Sequence, residues 1–325
     1  MTANPCPPVA SVMVASFYKF VTIADPRALG AILATHARGA GLLGTVLLAT
    51  EGLNASLAGT PESVADFLDL LRSLRGFETL SEVRQSLQAV APFRRFKIKY
   101  KREIVTLGVA GIAPAVRTGV QVPPAAWNAL ISDPQVLLLD VRNSYEHRVG
   151  TFVGALDLGM ENFREFPALI EAELERRGAQ RVAMFCTGGI RCEKASAYLL
   201  ARGCAAVYQL SGGILRYLEE TPRATSRWQG DCFVFDQRVA LDADLSPGEH
   251  SQCFACRRPL SANDRASPLY QHAQCCAHCH HQLSEAQHRA GAERRRQVAL
   301  AAARKEAHIG AVMPAAQQRL KVRHR

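Results

Sequence analysis

The 325-residue sequence predicts an α/β multidomain protein: an α+β domain, then an α/β domain built on a parallel sheet, then a small cysteine-rich, zinc-binding region. Three observations predict it. Between residues 14 and 110, strand-like and helix-like runs follow one another in the order β-α-β, β-α-β, which is the split βαβ, ferredoxin-like arrangement. From residue 125 to 222, short and almost wholly apolar runs alternate with helical segments, as they do in a parallel sheet covered on both faces. Further on, two C-x-x-C pairs stand 19 residues apart. Residues 1–13 are then a leader, 111–124 a linker, 223–284 a connecting segment with the zinc knuckles, and 285–325 a basic tail.

In the first domain SFYKFVTI (16–23) reads as a strand, and PRALGAILATHARGAG (26–41) as a helix closed by glycines. LLGTVLLAT and GLNASLAG are two β-type stretches around Glu51 and Gly52. PESVADFLDLLRSL (61–74) opens on proline and repeats apolar residues at helical spacing. LSEVRQSLQAV and FRRFKIKYKREIV then return to strand-like alternation. In FKIKYK the period of two puts Phe96, Ile98 and Tyr100 on one face and Lys97, Lys99 and Lys101 on the other. That lysine face suits a phosphate backbone, although a sheet with one solvated face gives the same pattern.

GIAPAVRTGVQVPP (111–124) is rich in glycine and proline and reads as the linker. VLLLDV (136–141), VAMFC (182–186) and AAVYQL (205–210) are the buried strands of the second domain. From about Ser246 the pairs CFAC (253–256) and CAHC (276–279) have the spacing by which two knuckles close on one tetrahedral zinc, so Cys253, Cys256, Cys276 and Cys279 are the expected ligands. Cys275, His278 and His280 crowd the second knuckle and are candidates to replace one of them.

Composition narrows the setting. An apolar fraction of 48% fits a folded globular chain, and no uninterrupted apolar run reaches the roughly 18 residues of a membrane span. The N-terminus lacks a basic region ahead of an apolar stretch. Ten cysteines, several of them in metal-type spacing, suit reducing conditions, so the sequence predicts a cytoplasmic protein without a membrane partner. Of the net charge of +10, residues 285–325 carry +7, from ten Lys/Arg against three acids. Such a tail either attracts nucleic acid or is a solvated extension, and charge alone weighs the two equally.

The chemistry concentrates in FCTGGIRCEK (185–194), which follows a strand and opens a helix. A loop closing around Cys186 turns the backbone N–H groups of Thr187, Gly188, Gly189, Ile190, Arg191 and Cys192 inward, and the helix adds its positive end. The occupant such a cradle suits is a thiolate, or a sulfur carrying a transferable group. Cysteine phosphatases also use a loop of amides, but they need an arginine six residues after the cysteine. Here Arg191 is fifth and Cys192 sixth, so the register is wrong. Glu193 and Lys194 are expected to cap or pair on the helix.

The second domain resembles a rhodanese domain. DVRNSYEHRVGTFVGA (140–155), with Asp140, Arg142, Glu146, Gly150, Gly154 and Ala155, is similar to the early rhodanese signature, and LSGGI (210–214) to the glycine turn that closes such domains. The whole order, an acylphosphatase-like first domain, a rhodanese-like loop, GDCFVFDQRVAL (230–241) and zinc-type knuckles, resembles the bacterial oxygen-dependent tRNA uridine hydroxylase family over about residues 15–282. The resemblance implies hydroxylation of the wobble uridine at C5, tRNA as partner and molecular oxygen as co-substrate. It places the essential cysteine at Cys186, with Asp140 and Arg142 as support. A thiolate adding to C6 of uracil would give C5 enolate character. Alternatively, the cradle could hold an oxidised sulfur or a persulfide. Cys192 is either a resolving thiol or a helix-start residue, and the sequence identifies no electron donor. A sulfurtransferase passing persulfide sulfur to an acceptor and a noncatalytic RNA-binding adaptor are the competing readings.

Overall fold

The computed structural model describes residues 11–80, 82–178 and 181–304, and most of the leader and residues 305–325 of the tail lie outside them. The chain forms two compact units, Met1–Gly248 and Glu249–Arg325.

The first unit opens with β1 (Val12–Phe20), α1 (Pro26–Gly39), β2 (Leu43–Ala49), β3 (Gly52–Gly59), α2 (Pro61–Arg72), β4 (Val83–Gln88) and β5 (Phe96–Tyr100). The sheet order β4-β1-β3-β2-β5 is that of the split βαβ fold, with β5 added parallel to β2 at one edge. Both helices start where the sequence supplies a cap. Asp25 accepts from the N–H groups of Arg27 and Ala28, Thr60 accepts from Ser63, and a proline begins each helix. One face of the sheet, with Ala15, Phe17, Val46, Leu48, Leu53 and Leu57, packs against Leu33, Phe67 and Leu71 of the helices. The other face carries polar rows in register: Arg84, Ser16, Ser56, Thr45 and Lys97, then Tyr18, Asn54, Leu47 and Lys99.

The second sheet contains β6 (Val120–Val122), β7 (Val136–Asp140), β9 (Leu156–Asp157), β10 (Arg181–Phe185) and β11 (Ala206–Leu210) in the order β6-β11-β10-β7-β9, with every pairing parallel. Helices α3 (Pro124–Ile131), α4 (Ser144–His147), α5 (Phe166–Arg177), α6 (Ile190–Ala201) and α7 (Gly213–Glu220) connect the strands, and β8 (Gly150–Phe152) lies outside the sheet. Alternation along β10 feeds two cores, with Val182 and Met184 entering one and Ala183 and Phe185 the other. The stretch expected as a linker differs at its end: Val120–Val122 is the edge strand β6, because its backbone completes the ladder beside β11.

The stretch after α7 is more than a connector. β12 (Trp228–Gly230) pairs with β8, β13 (Cys232–Phe233) pairs with β14 (Ala240–Leu241), and Trp228, Cys232, Val234 and Leu241 are buried with Phe152 and Phe185. The apolar positions of WQGDCFVFDQRVAL, Phe235 excepted, are therefore core positions of the first unit.

Glu193 and Lys194 do not pair along α6 as the sequence suggested. Lys194, 2% exposed, bonds Glu51 at 2.7 Å in the β2–β3 turn and Glu103 at 2.5 Å after β5. The Glu193 carboxylate accepts from Thr118, Gln121 and Tyr18. The cause is burial: a helix face pressed against another layer must find its partners there. With Arg84–Glu219 at 2.8 Å and the Gln237 N–H on the Pro92 carbonyl at 3.2 Å, the Lys194 bonds and the Tyr18–Glu193 bond tie the two sheets together, while Thr118 and Gln121 hold Glu193 from beside it in the second sheet.

In the second unit β15 (Ser251–Gln252) pairs with β16 (Pro259–Leu260), α8 (Ala262–Ala266) follows, and α9 (Glu285–Ala303) ends the described chain. The first part of the expected basic tail is thus a helix, opened by a capping box of Ser284 and Gln287. It is packed, since Arg294 donates to the Ala273 carbonyl and Gly291 lies against Gln274.

Lys194→Met leaves two partly buried carboxylates without their cation. Urea denaturation should show a loss of about 2–4 kcal/mol. Burial raises the Glu103 pKa, but the bonds from Lys194 and from the Leu107 and Gly108 N–H groups outweigh this and hold it below 4.5. Its contribution to stability is therefore present above that ordinary value and lost as pH falls through the lowered one, and the Met variant should show a shallower acid decline.

Candidate active site

β10 ends at Phe185, whose carbonyl accepts from Val141 N–H at 3.1 Å, so the loops after β7 and β10 leave the sheet side by side. This is the carboxyl edge, where open α/β sheets hold their sites. Cys186 follows directly and is 1% exposed. The Gly189 N–H donates to its Sγ at 3.2 Å. Gly189 has φ +96°, and a Cβ there would sit 2.9 Å from the Tyr18 hydroxyl. On the far side, Ile214 and Leu215 donate to the carbonyls of Cys186 and Thr187 at 3.0 and 3.2 Å. Gly213, at φ +67°, lets that turn approach, since a Cβ would lie 2.5 Å from the Cys186 carbonyl oxygen. Thr187 donates to the Phe233 carbonyl, Gly188 is exposed, and Ile190 is half-buried.

The loop favours an ionised sulfur. Burial alone pushes the Cys186 thiol up. The Cys192 thiol donating to it, the charge of Arg191 and the Cys192 and Arg191 N–H groups outweigh this and bring it down to about 6. Burial and the neighbouring Cys186 raise Cys192 well above the ordinary thiol range, so it remains the donor. Arg191 is held bidentately by Glu146, at 2.7 and 2.6 Å, with both side chains buried. Its guanidinium is committed to that carboxylate, a second departure from the phosphatase pattern.

Asp140 and Arg142 lie beneath, away from the cavity. Arg142 donates to both Asp140 oxygens at 2.8 and 2.6 Å and to the Gly150 carbonyl at 2.6 Å, with both side chains 0% exposed. Burial pushes the Asp140 carboxyl up, but Arg142 and a bond from His147 overcome this and hold it at about 2. The Arg142 guanidinium also lies over the Trp228 and Phe185 rings at 5.2 and 5.7 Å. The pair fixes the strand end from which the site is built.

Cys186 opens onto a cavity of about 1140 Å³ whose opposite wall is the polar face of the first sheet, with Ser16, Tyr18, Asn54 and Ser56. Arg84, Lys99, Arg216 and Arg238 supply positive charge, and Phe93 and Phe235 supply aromatic surface. Of the three lysines of FKIKYK, only Lys99 lines the cavity. Lys97 is half-buried in the neighbouring row and Lys101 is exposed past the end of β5. Sequence reasoning missed Tyr18, Arg84, Phe235 and Arg238. For Tyr18 the available signal was polar residues alternating inside the otherwise apolar strands β1 and β3, which marks a face meeting something other than a core; Phe235 and Arg238 lie in the turn between β13 and β14, where no such period exists.

In the second unit the sulfurs of Cys253, Cys256, Cys276 and Cys279 all lie within 4.8 Å of one another, with separations of 3.9 Å (253–279), 3.7 Å (256–276) and 3.8 Å (276–279). Four thiolates about 2.3 Å from a central zinc stand about 3.8 Å apart, so this donor set fits tetrahedral zinc. The alternative ligands turn elsewhere: Cys275 Sγ faces the Leu269 carbonyl, His278 pairs with Asp264 at 2.8 Å, and His280 meets His288 edge to face.

Two measurements check these sites. Alkylation of Cys186 by a small neutral reagent should follow pH with a midpoint near about 6. Cys192→Ala should move the midpoint up by removing a donor and Cys192→Ser by less, whereas an unmoved midpoint in the Ala variant would contradict the assignment. Elemental analysis should find about one zinc per chain, and Cys276→Ala should lose it and loosen residues 249–304 while the first unit keeps its melting transition.

Comparison with known proteins gives the same organisation. Residues 12–104 match the UPF0176 acylphosphatase like domain and residues 123–220 the rhodanese-like domain. Among solved structures, a rhodanese-like domain from Anabaena is 17% identical with a TM-score of 0.28, covering 34% of this chain and 78% of its own. Reduced CoADR-RHD from Bacillus anthracis is 17% identical with a TM-score of 0.28, covering 51% and 28%. The tRNA uridine(34) hydroxylase of Mesorhizobium japonicum is 47% identical over 308 residues, 94% of this chain and 99% of the relative. An identity of that degree, over nearly the whole length of both chains, shows that the chain belongs to the tRNA uridine(34) hydroxylase family.

Proposed function

We propose that this chain hydroxylates uridine 34 of tRNA at C5, using molecular oxygen, with Cys186 as the reacting nucleophile. The reaction class rests on the relative named for it, aligned over 94% of the chain. The residue assignment rests on a sulfur lowered to about 6 at the edge of a cavity roomy enough for a nucleotide.

Uracil C5 is a weak nucleophile. The Cys186 thiolate adds to C6, the electron pair moves to C5 as an enolate, and C5 takes up oxygen. Loss of the C5 proton and departure of the thiolate restore the ring. One oxygen atom enters the base, and the other leaves as water with two protons and two electrons from an external reductant. The Gly189, Arg191 and Cys192 donors hold the sulfur ionised before addition and after departure. Lys99 and Arg84 in the wall attract the phosphates flanking the base. The four cysteines of the second unit hold zinc in a structural role. A tRNA substrate puts the working protein in the cytoplasm, and no described helix is long and apolar enough to cross a membrane.

The test is mass spectrometry of wobble nucleosides from a deletion strain carrying the gene or its Cys186→Ser variant. Wild type should restore a uridine bearing one added oxygen, while the Ser variant should fold and restore none, because a hydroxyl is a far poorer nucleophile at this pH. Restoration by the Ser variant would refute the thiolate role, and gain of sulfur in place of oxygen would favour persulfide transfer. In binding titrations, Lys99→Ala should weaken tRNA binding and flatten its salt dependence by about one phosphate contact, and Lys101→Ala should do so less. Removal of residues 305–325 should lower affinity at low salt only.

A further inference from the structure

Phe235 is an exception to the burial of its surroundings. Cys232, Phe233, Val234, Val239 and Ala240 are all buried, yet Phe235 is 67% exposed and lines the Cys186 cavity. Its backbone is tightly built. Val234 N–H bonds the Val239 carbonyl at 2.9 Å, Arg238 grips Asp236 through Nε and Nη2, and Gln237 N–H bonds the Pro92 carbonyl at 3.2 Å. Val239 turns the chain at φ +65°, a conformation β-branched residues rarely adopt. The ring is braced by Phe233, edge to face at 5.0 Å, and by the Arg191 guanidinium at 5.7 Å, and the rest of its surface is open. A large apolar side chain held out on so constrained a turn has no part in the core.

We infer that Phe235 is a stacking platform for the unpaired base next to the target uridine, an inference that rests on the proposed tRNA reaction. The target base has to leave its stack to reach Cys186, which is 1% exposed, and this bares one face of its neighbour. An aromatic ring at the rim of the same cavity can take that face. The cations around it fit the backbone between the two nucleotides, with Arg84, Arg216 and Arg238 lining the cavity on the same side as Phe235 or across from it. The difference in exposure separates the roles: a base resting on the open ring cannot be the one that meets the buried sulfur. Phe235 is thus a positioning residue, acting through the neighbour to present the target alone.

The test uses the full chain and an anticodon stem–loop carrying a fluorescent base analogue immediately before or after the target. Wild type should quench the analogue at one of these positions on binding. Phe235→Ala should abolish the quench and weaken binding roughly ten- to hundredfold, raising KM more than it lowers kcat. Phe235→Trp should restore quench and affinity, whereas Phe235→Leu, apolar but without a π-face, should not. An Ala variant that still quenches, or a Leu variant that rescues as well as Trp, overturns the inference. Wild type that binds and quenches but adds no oxygen overturns the proposed reaction instead, so the two failures are told apart.

Discussion

A sulfur that is 1% exposed and yet titrates at about 6 imposes a demand on everything around it. Burial opposes ionisation, so donors have to be supplied and held in place without relying on water. The donors come from the Gly189, Arg191 and Cys192 amides, the Cys192 thiol and the Arg191 charge. Each in turn needs a support. Gly189 provides a backbone angle that side-chain-bearing residues avoid, Glu146 keeps Arg191 near the loop, and Asp140 with Arg142 anchors the neighbouring strand end. Gly213 completes the enclosure by letting the α7 turn donate to the loop's own carbonyls. The signature residues around the cysteine are therefore parts of one electrostatic device.

The same demand explains why the first sheet has two unlike faces. Its helix-covered side is an ordinary apolar core. The side facing Cys186 lines the cavity, and serine, asparagine, tyrosine and lysine occupy the positions that a second apolar layer would otherwise fill. A wall of this kind gains little from the hydrophobic effect, so adhesion between the layers falls to specific polar bonds. Lys194 with Glu51 and Glu103, Arg84 with Glu219, and Tyr18 with Glu193 fill that role. They are directional and specify one arrangement of the two sheets, which a greasy interface would not.

Local rules made much of this legible in the sequence. The order of strands and helices, the proline-led helix starts, the parallel apolar runs and the cysteine spacing each follow from chemistry within a few residues, and the Cys186 loop was visible because glycines and arginine are out of place after a buried strand. What local patterning could not show was the partner of a polar face. Glu193 and Lys194 read as helix-surface residues because pairing across 72 to 175 positions leaves no trace in nearby sequence. The 228–241 stretch read as a connector because its apolar residues come in short clusters without a period, although Trp228, Cys232, Val234 and Leu241 enter the core of the second sheet. Tyr18 and Phe235 escaped for the same reason, since their significance comes from what folds opposite them.

The positive charge of the chain divides into two kinds with different physical uses. In the cavity, Arg84 pairs with Glu219, Arg216 with Glu220 and Arg238 with Asp236, so these cations bring little net field. They bring fixed donors at fixed spacing, because a guanidinium held by a carboxylate keeps its remaining N–H groups aimed. Residues 285–325, by contrast, carry +7 of the net +10, and charge of that kind acts at long range, most strongly at low salt and without regard to sequence. Lys99 stands between the two kinds, a cation of the wall with no carboxylate partner among the described residues. If paired cations set geometry and unpaired ones set affinity, neutralising Lys99 costs binding, whereas neutralising Arg84 frees Glu219 beside the substrate path and costs positioning as well. The division of labour thus follows from which cations the fold has already neutralised.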